Sequence, residues 1–172
     1  MSGVETTHAL ESGDPRVAAY VALSGRDVFP VDDTRLTTPG PRALWQWWRD
    51  AAVDGVPHRN RFDIAEHPQL VPNLYLIERV PGGYRLRLAG ESFEQMFNRR
   101  RGHEWRHDAA EPLARAFAGY FDFVLETGRP YHSIGRLRCE WSDWFRFESL
   151  ICPLRHDGGD QLLGIAVTMK EE

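Results

Sequence analysis

Three β-rich segments close the chain, YHSIGRLRCEW, WFRFESLICPLR and QLLGIAVTMK, and only short turns separate them. Strands joined by tight turns can pair only antiparallel, because a parallel partner needs a long crossover. Alternation suggests a register for the first pair. Leu137, Cys139 and Trp141 alternate with Arg138 and Glu140, and Phe145 and Phe147 alternate with Arg146 and Glu148. Setting residue 139 opposite 147 puts both apolar sets on one side. It also sets Arg138 opposite Glu148 and Glu140 opposite Arg146, each pair contributing a few tenths of a kcal/mol. Ser142-Asp143-Trp144 is then the loop. Cys139 faces the core and Cys152 the other side, so no disulfide is expected between them.

Upstream, NLYLIERV and YRLRLAG flank a PGG turn and read as a hairpin. Tyr84, Leu86 and Leu88 are expected on one face, Arg85 and Arg87 on the other. Between hairpin and final strands lies the clearest helix, AAEPLARAFAGYFDFVLETG. Asp108 and Glu111 suggest a capping box, and Gly128 follows the end. Leu113, Phe117, Tyr120, Phe121, Val124 and Leu125 form its apolar face. ESFEQMFN and the stretch around 103–110 read as short helical pieces. PRALWQWWRDAAVDG predicts an amphipathic helix with an aromatic stripe, starting at Pro41. Three prolines make 56–73 irregular. Residues 1–40 are expected as an N-terminal, partly flexible arm, with one short helix over Pro15 to Leu23 capped by Asp14.

The length, 172 residues, suits one domain, here expected over 41–172. The net charge of −4 gives no basic face for nucleic acid. No apolar run approaches the roughly 18 residues of a membrane helix, and the first residues do not form a signal peptide. A cytoplasmic protein is expected, with no nucleic-acid or membrane partner.

The strand and helix order resembles that of a PAS domain, a sensor module. The local wording is similar to a subgroup of stand-alone bacterial PAS-like proteins. Its marks are the Trp-rich Trp45 to Arg49, the basic-aromatic Arg59 to Asp63, Arg87-Leu88-Ala89-Gly90, Gly102, and Gly128-Arg129-Pro130. The weight lies in their order. The subgroup has a Thr or Ser soon after the first of those motif glycines; Ser92 comes one residue late, so no role is carried over to it. The resemblance implies an α+β fold: a five-stranded antiparallel sheet with helices on one face, preceded by the Trp-rich helix. Between sheet and helices it implies either a small-ligand space or a simply packed core. Leu88, Met96, Phe97, Phe117, Phe121, Leu137, Cys139 and Phe147 are the cavity residues expected there. Trp45, Trp47 and Trp48 point several ways around their helix, which suits a homodimer contact or packing on the sheet.

Other patterns point to other chemistry. His103-Glu104-Trp105-Arg106-His107 matches H-E-x-x-H, in which two His on one helix face bind zinc and Glu is the base. Ala110 and Leu113 occupy the Gly and His positions of the extended motif, while Glu126 has the spacing of a third ligand. Gly102 before the pattern and the helix start after it leave the two His without a common face. A zinc hydrolase is therefore the alternative, and no metal is expected. Haem would need one of His103, His107 or His132; adduct-forming flavin chemistry would need a Cys where Arg99 follows Asn98. Arg99 to Arg101 with Arg106 form a basic cluster, read as a solvated loop, and Asp122 and Glu126 share a helix face. The expectation is a non-catalytic sensory and interaction domain without cofactor. With no kinase, cyclase or DNA-binding region in the chain, its output passes through a partner protein.

Overall fold

The computed structural model describes residues 13–138 and 144–169. Its elements are α1 (Pro15–Ser24), β1 (Asp27–Pro30), α2 (Pro39–Ala51), β2 (Leu74–Val80), β3 (Gly83–Ala89), α3 (Glu91–Phe97), β4 (Glu104–Arg106), α4 (Pro112–Thr127), β5 (Tyr131–Arg138), β6 (Trp144–Leu154) and β7 (Gln161–Met169). Three single 3-10 turns fill the proline-rich stretch before β2. All strands join one antiparallel sheet in the order β1-β5-β6-β7-β2-β3-β4.

The five expected strands are the centre of this sheet, and two short strands extend it to seven. β1 comes from the segment expected as an arm; Val28 and Phe29 are buried where it pairs with β5. β4 occupies part of the stretch expected as helical. Trp105 is buried between a flanking Glu104 and Arg106, the alternation of a strand edge against β3.

The sheet is covered on both faces rather than one. On the inner face α1, α3 and α4 build a core with Tyr75, Ile77, Tyr84, Leu86 and Ile151. On the outer face the Trp-rich α2 sets Leu44 and Trp48 against Leu74, Leu150, Cys152 and Ile165. The Trp48 indole donates to the Pro153 carbonyl at 2.9 Å. Long strands carrying apolar side chains on both sides require both covers.

The β5–β6 register differs from the one expected. Gly135 lies opposite Phe147 and Leu137 opposite Phe145. Glu148 faces Ile134 and Arg146 faces Arg136, so neither expected charge pair forms across the ladder. The shift is an even number of residues, so the apolar faces agree. A buried cluster around Glu148, described below, outweighs pairs of a few tenths of a kcal/mol. Cys139, Glu140, Trp141, Ser142 and Asp143 lie outside the described residues.

A bulge corrects the reading of β3. Leu76 opposes Leu88 while Ile77 opposes Leu86, leaving Arg87 as the extra residue. Leu88 therefore leaves the face of Tyr84 and Leu86 and packs against the outer core. The long helix begins at Pro112 with Glu111 as its cap residue, not at an Asp108 capping box, since proline suits the first helical position. Its end at Gly128, in the left-handed conformation, is as expected.

Candidate functional site

A cavity of about 210 Å³ lies between the inner face of the sheet and α1, α3 and α4. Two sheet glycines shape its floor. A Cβ at Gly164 would fall 2.0 Å from the Tyr75 ring, and one at Gly135 would fall 2.6 Å from the Phe147 ring. Each glycine thus lets an aromatic side chain lie flat on the sheet.

The polar end is built from three phenols and one guanidinium. Tyr20 of α1 stacks face to face on Tyr120 of α4, with centroids 4.1 Å apart. Arg26, just after α1, donates to the Tyr20 hydroxyl at 2.7 Å. Its guanidinium carbon lies 4.9 Å from the Phe147 ring centre, 5.2 Å from that of Phe117 and 5.3 Å from that of Phe97. Tyr75 and Ser149 share a hydrogen bond of 3.2 Å. The Tyr120 hydroxyl is buried and has no hydrogen-bond partner among the described residues. Burial raises the pKa of Tyr20, Tyr75 and Tyr120, so all three are protonated donors at neutral pH.

Phe97, Phe117, Phe121 and Leu137, expected as cavity residues, line this space. Met96 packs partly buried against the same core without lining it. Phe147 is fully buried beneath it, against Phe97 and Arg26. Leu88 is on the other face of the sheet, and Cys139 lies outside the described residues. Tyr20, Arg26, Tyr75, Tyr120 and Ser149 join the site without being expected there. Tyr120 is visible on the apolar face of the long helix; Tyr20 and Arg26 fall in the segment expected as an arm.

The histidines stand elsewhere. His103 and His107 flank the β4 strand, along which four residues span about 13 Å, too far for one ion. His103 packs edge-on against Trp105. The His107 Nε2 lies 2.7 Å from the Asp122 carboxylate, and its Nδ1 lies 3.2 Å from the Gly82 carbonyl. Tyr84 donates to the other oxygen of Asp122. Glu126, the spacing-based third ligand, pairs with Arg16 at 2.7 Å. Among the described residues no three His, Cys, Asp or Glu side chains are grouped to hold a metal. Among the described residues no histidine or thiol lines the cavity, and its volume is below the roughly 300 Å³ at which pockets for drug-sized ligands begin. Neither a haem ligand nor a tricyclic flavin with an adduct cysteine fits these residues.

His132 instead meets Glu148 at 3.0 Å, both fully buried on the outer face. The carboxylate also accepts from the backbone N–H of Thr37 at 3.2 Å and of Thr38 at 2.9 Å, and from both threonine hydroxyls. Burial pushes the Glu148 pKa up, but the hydrogen bonds from His132, Thr38 and Thr37 outweigh it and hold it at about 2. Thr38 is the residue before α2, so this carboxylate fixes the start of the Trp-rich helix to the sheet.

A PAS-domain family model matches residues 36–167. The chain belongs to the PAS domain family. Among solved structures, an RNA-binding Light-Oxygen-Voltage receptor is similar at 17% identity and a TM-score of 0.43, over 94% of this chain and 48% of that one. The RsLOV d2 variant is similar at 19% identity and a TM-score of 0.41, over 76% and 69%. The chain thus spans about half the length of the first of these structures. Among the curated proteins none matches. No helix among the described residues of this PAS domain is long and apolar enough to cross a membrane.

Proposed function

We propose that this PAS domain is a non-catalytic sensory module that binds a small molecule in the cavity between sheet and helices. It would pass occupancy on to a partner protein. The cavity itself carries the reading. Tyr20, Arg26 and Tyr120 set polar groups beside the aromatic walls of Phe93, Trp105, Phe117 and Phe121, the composition of a ligand site rather than of plain core. The Trp-rich α2 is the contact we propose for a homodimer: Trp45 and Trp47 are half-buried, while Trp48 anchors the helix.

Native mass spectrometry tests both parts. The purified protein is expected to carry a small adduct and to show a dimer. Leu113→Trp places bulk at the cavity from the first turn of α4, and the adduct should then disappear with the fold intact by circular dichroism. Bare chains, together with no melting shift from a panel of small aromatic compounds, would refute ligand binding. A monomer at micromolar concentration would refute the dimer alone.

A further inference from the structure

We infer that the cavity takes a monocyclic aromatic carboxylate, held by the Arg26 guanidinium and the Tyr120 hydroxyl. This rests on reading the cavity as a ligand site. Size comes first. A closed apolar space of about 150 Å³ admits benzene, so 210 Å³ admits one ring with a short substituent. The walls match a flat ring, because Phe93, Trp105, Phe117 and Phe121 supply aromatic faces and edges.

Charge supplies the headgroup. Arg26, Arg99 and Arg136 line the cavity, and no carboxylate does among the described residues, although the whole chain carries a net charge of −4. Some arginines outside the cavity have acidic partners: Arg16 meets Asp14 and Glu126, and Arg106 meets Asp108. Arg26 instead has the neutral Tyr20 hydroxyl and a surround of aromatic rings. A guanidinium has five N–H donors, and that bond uses one of them. Rings attract the cation without cancelling its charge. The fork geometry of the remaining donors suits a carboxylate.

Tyr120 is the independent observation. Tyr120 lines the same cavity, and its hydroxyl is buried and has no partner among the described residues. Such a group is expensive to leave unsatisfied. The Tyr20 ring stacks on that of Tyr120, while its own hydroxyl takes Arg26. The two free donor groups therefore belong to one connected polar end. A carboxylate there would accept from both, with its ring among the aromatic walls.

The test is calorimetric titration with benzoate and 4-hydroxybenzoate against neutral benzamide and against phenyl phosphate. The acids are expected to bind about tenfold or more tighter than benzamide, the scale of a charge-assisted hydrogen bond. Arg26→Met should erase that preference. Tyr120→Phe keeps the ring stack and should weaken the acids severalfold without moving the melting temperature. Equal binding of acids and benzamide to the wild type would overturn the carboxylate and leave the cavity reading standing. Binding of phenyl phosphate alone would overturn it in favour of another anion. No binding of any ring, with Leu113→Trp melting like the wild type, would overturn both. Should Arg26→Met fail to fold, the wild-type preference and Tyr120→Phe still decide.

Discussion

Replacing Glu148 by Gln should cost this domain about 3 kcal/mol at neutral pH, and the loss should fade in acid. The folded-state pKa is about 2 against an ordinary 4.5. The group's folded pKa is depressed, so its stabilisation is present above 4.5 and is lost as pH falls toward 2. At about 1.36 kcal/mol per pKa unit, the gap of roughly 2.5 units corresponds to about 3 kcal/mol at pH 7. The same linkage leaves about 2 kcal/mol at pH 3.5 and about 1 kcal/mol at pH 3. The introduced amide would have the shape of the protonated acid but turn an N–H₂ toward groups that are donors in the native protein: Thr37, Thr38 and His132. An unsatisfied donor adds to the loss. Urea unfolding of wild type and Glu148→Gln across pH 7 to 3 measures the difference directly. Other carboxylates titrate in both proteins and cancel. The decisive region also lies below the ordinary histidine range. A gap under about 1 kcal/mol at pH 7, or one that stays constant down to pH 3, would refute the assignment of the low pKa to this cluster.

Other substitutions probe the two faces and the cavity floor. Trp48→Ala removes a buried indole and its bond to the Pro153 carbonyl, and about 3–5 kcal/mol should be lost in denaturant titration. Gly90→Ala would set a Cβ 2.1 Å from the Val71 carbonyl oxygen and 2.3 Å from that of Pro72, backbone that cannot swing away. A drop of several degrees in melting temperature is expected although the φ of −70° suits alanine. Gly164→Ala must displace the Tyr75 ring, so it should lower ligand affinity in calorimetry more than it lowers stability. An unchanged affinity would remove Tyr75 from the site.

What is legible in the chain depends on element length. The sixteen residues of α4 show a full apolar stripe, and the five central strands show alternation or unbroken apolar runs. β1 has four residues and β4 three, too few to carry a period. β4 falls in the stretch around 103–110 that reads as a short helical piece. The β3 bulge is invisible in the sequence, since Arg87 continues a perfect alternation; only pairing with β2 shows that Leu88 turns outward. In the sequence, the β5–β6 register rests on weak surface pairs. The stronger determinant is an acid, Glu148, in the middle of a strand that is mostly apolar beyond it. Its partners, Thr37 and Thr38, are more than a hundred residues away. The cavity follows the same division. Phe117 and Phe121 can be read from one helix face. Tyr20 and Arg26 cannot, because nothing local says that the first helix packs on α4.

That first helix changes how the cavity would communicate. Arg26 forms part of the cavity wall, and residue 27 begins β1, hydrogen-bonded to the edge of the sheet. Seven residues after β1, Thr37 and Thr38 grip Glu148, and α2 starts at once on the opposite face. One short stretch of chain therefore runs from the ligand side around the sheet edge to the Trp-rich helix, with an anchored point on each element it crosses. A ligand that pulled on Arg26 would act on α1 and β1 together, because the Tyr20 stack and the β5 ladder tie both down. Displacement of β1 bears on β5, where His132 lies opposite Phe29 and reaches Glu148. Under the proposed function, the N-terminal segment would be the element that transmits occupancy.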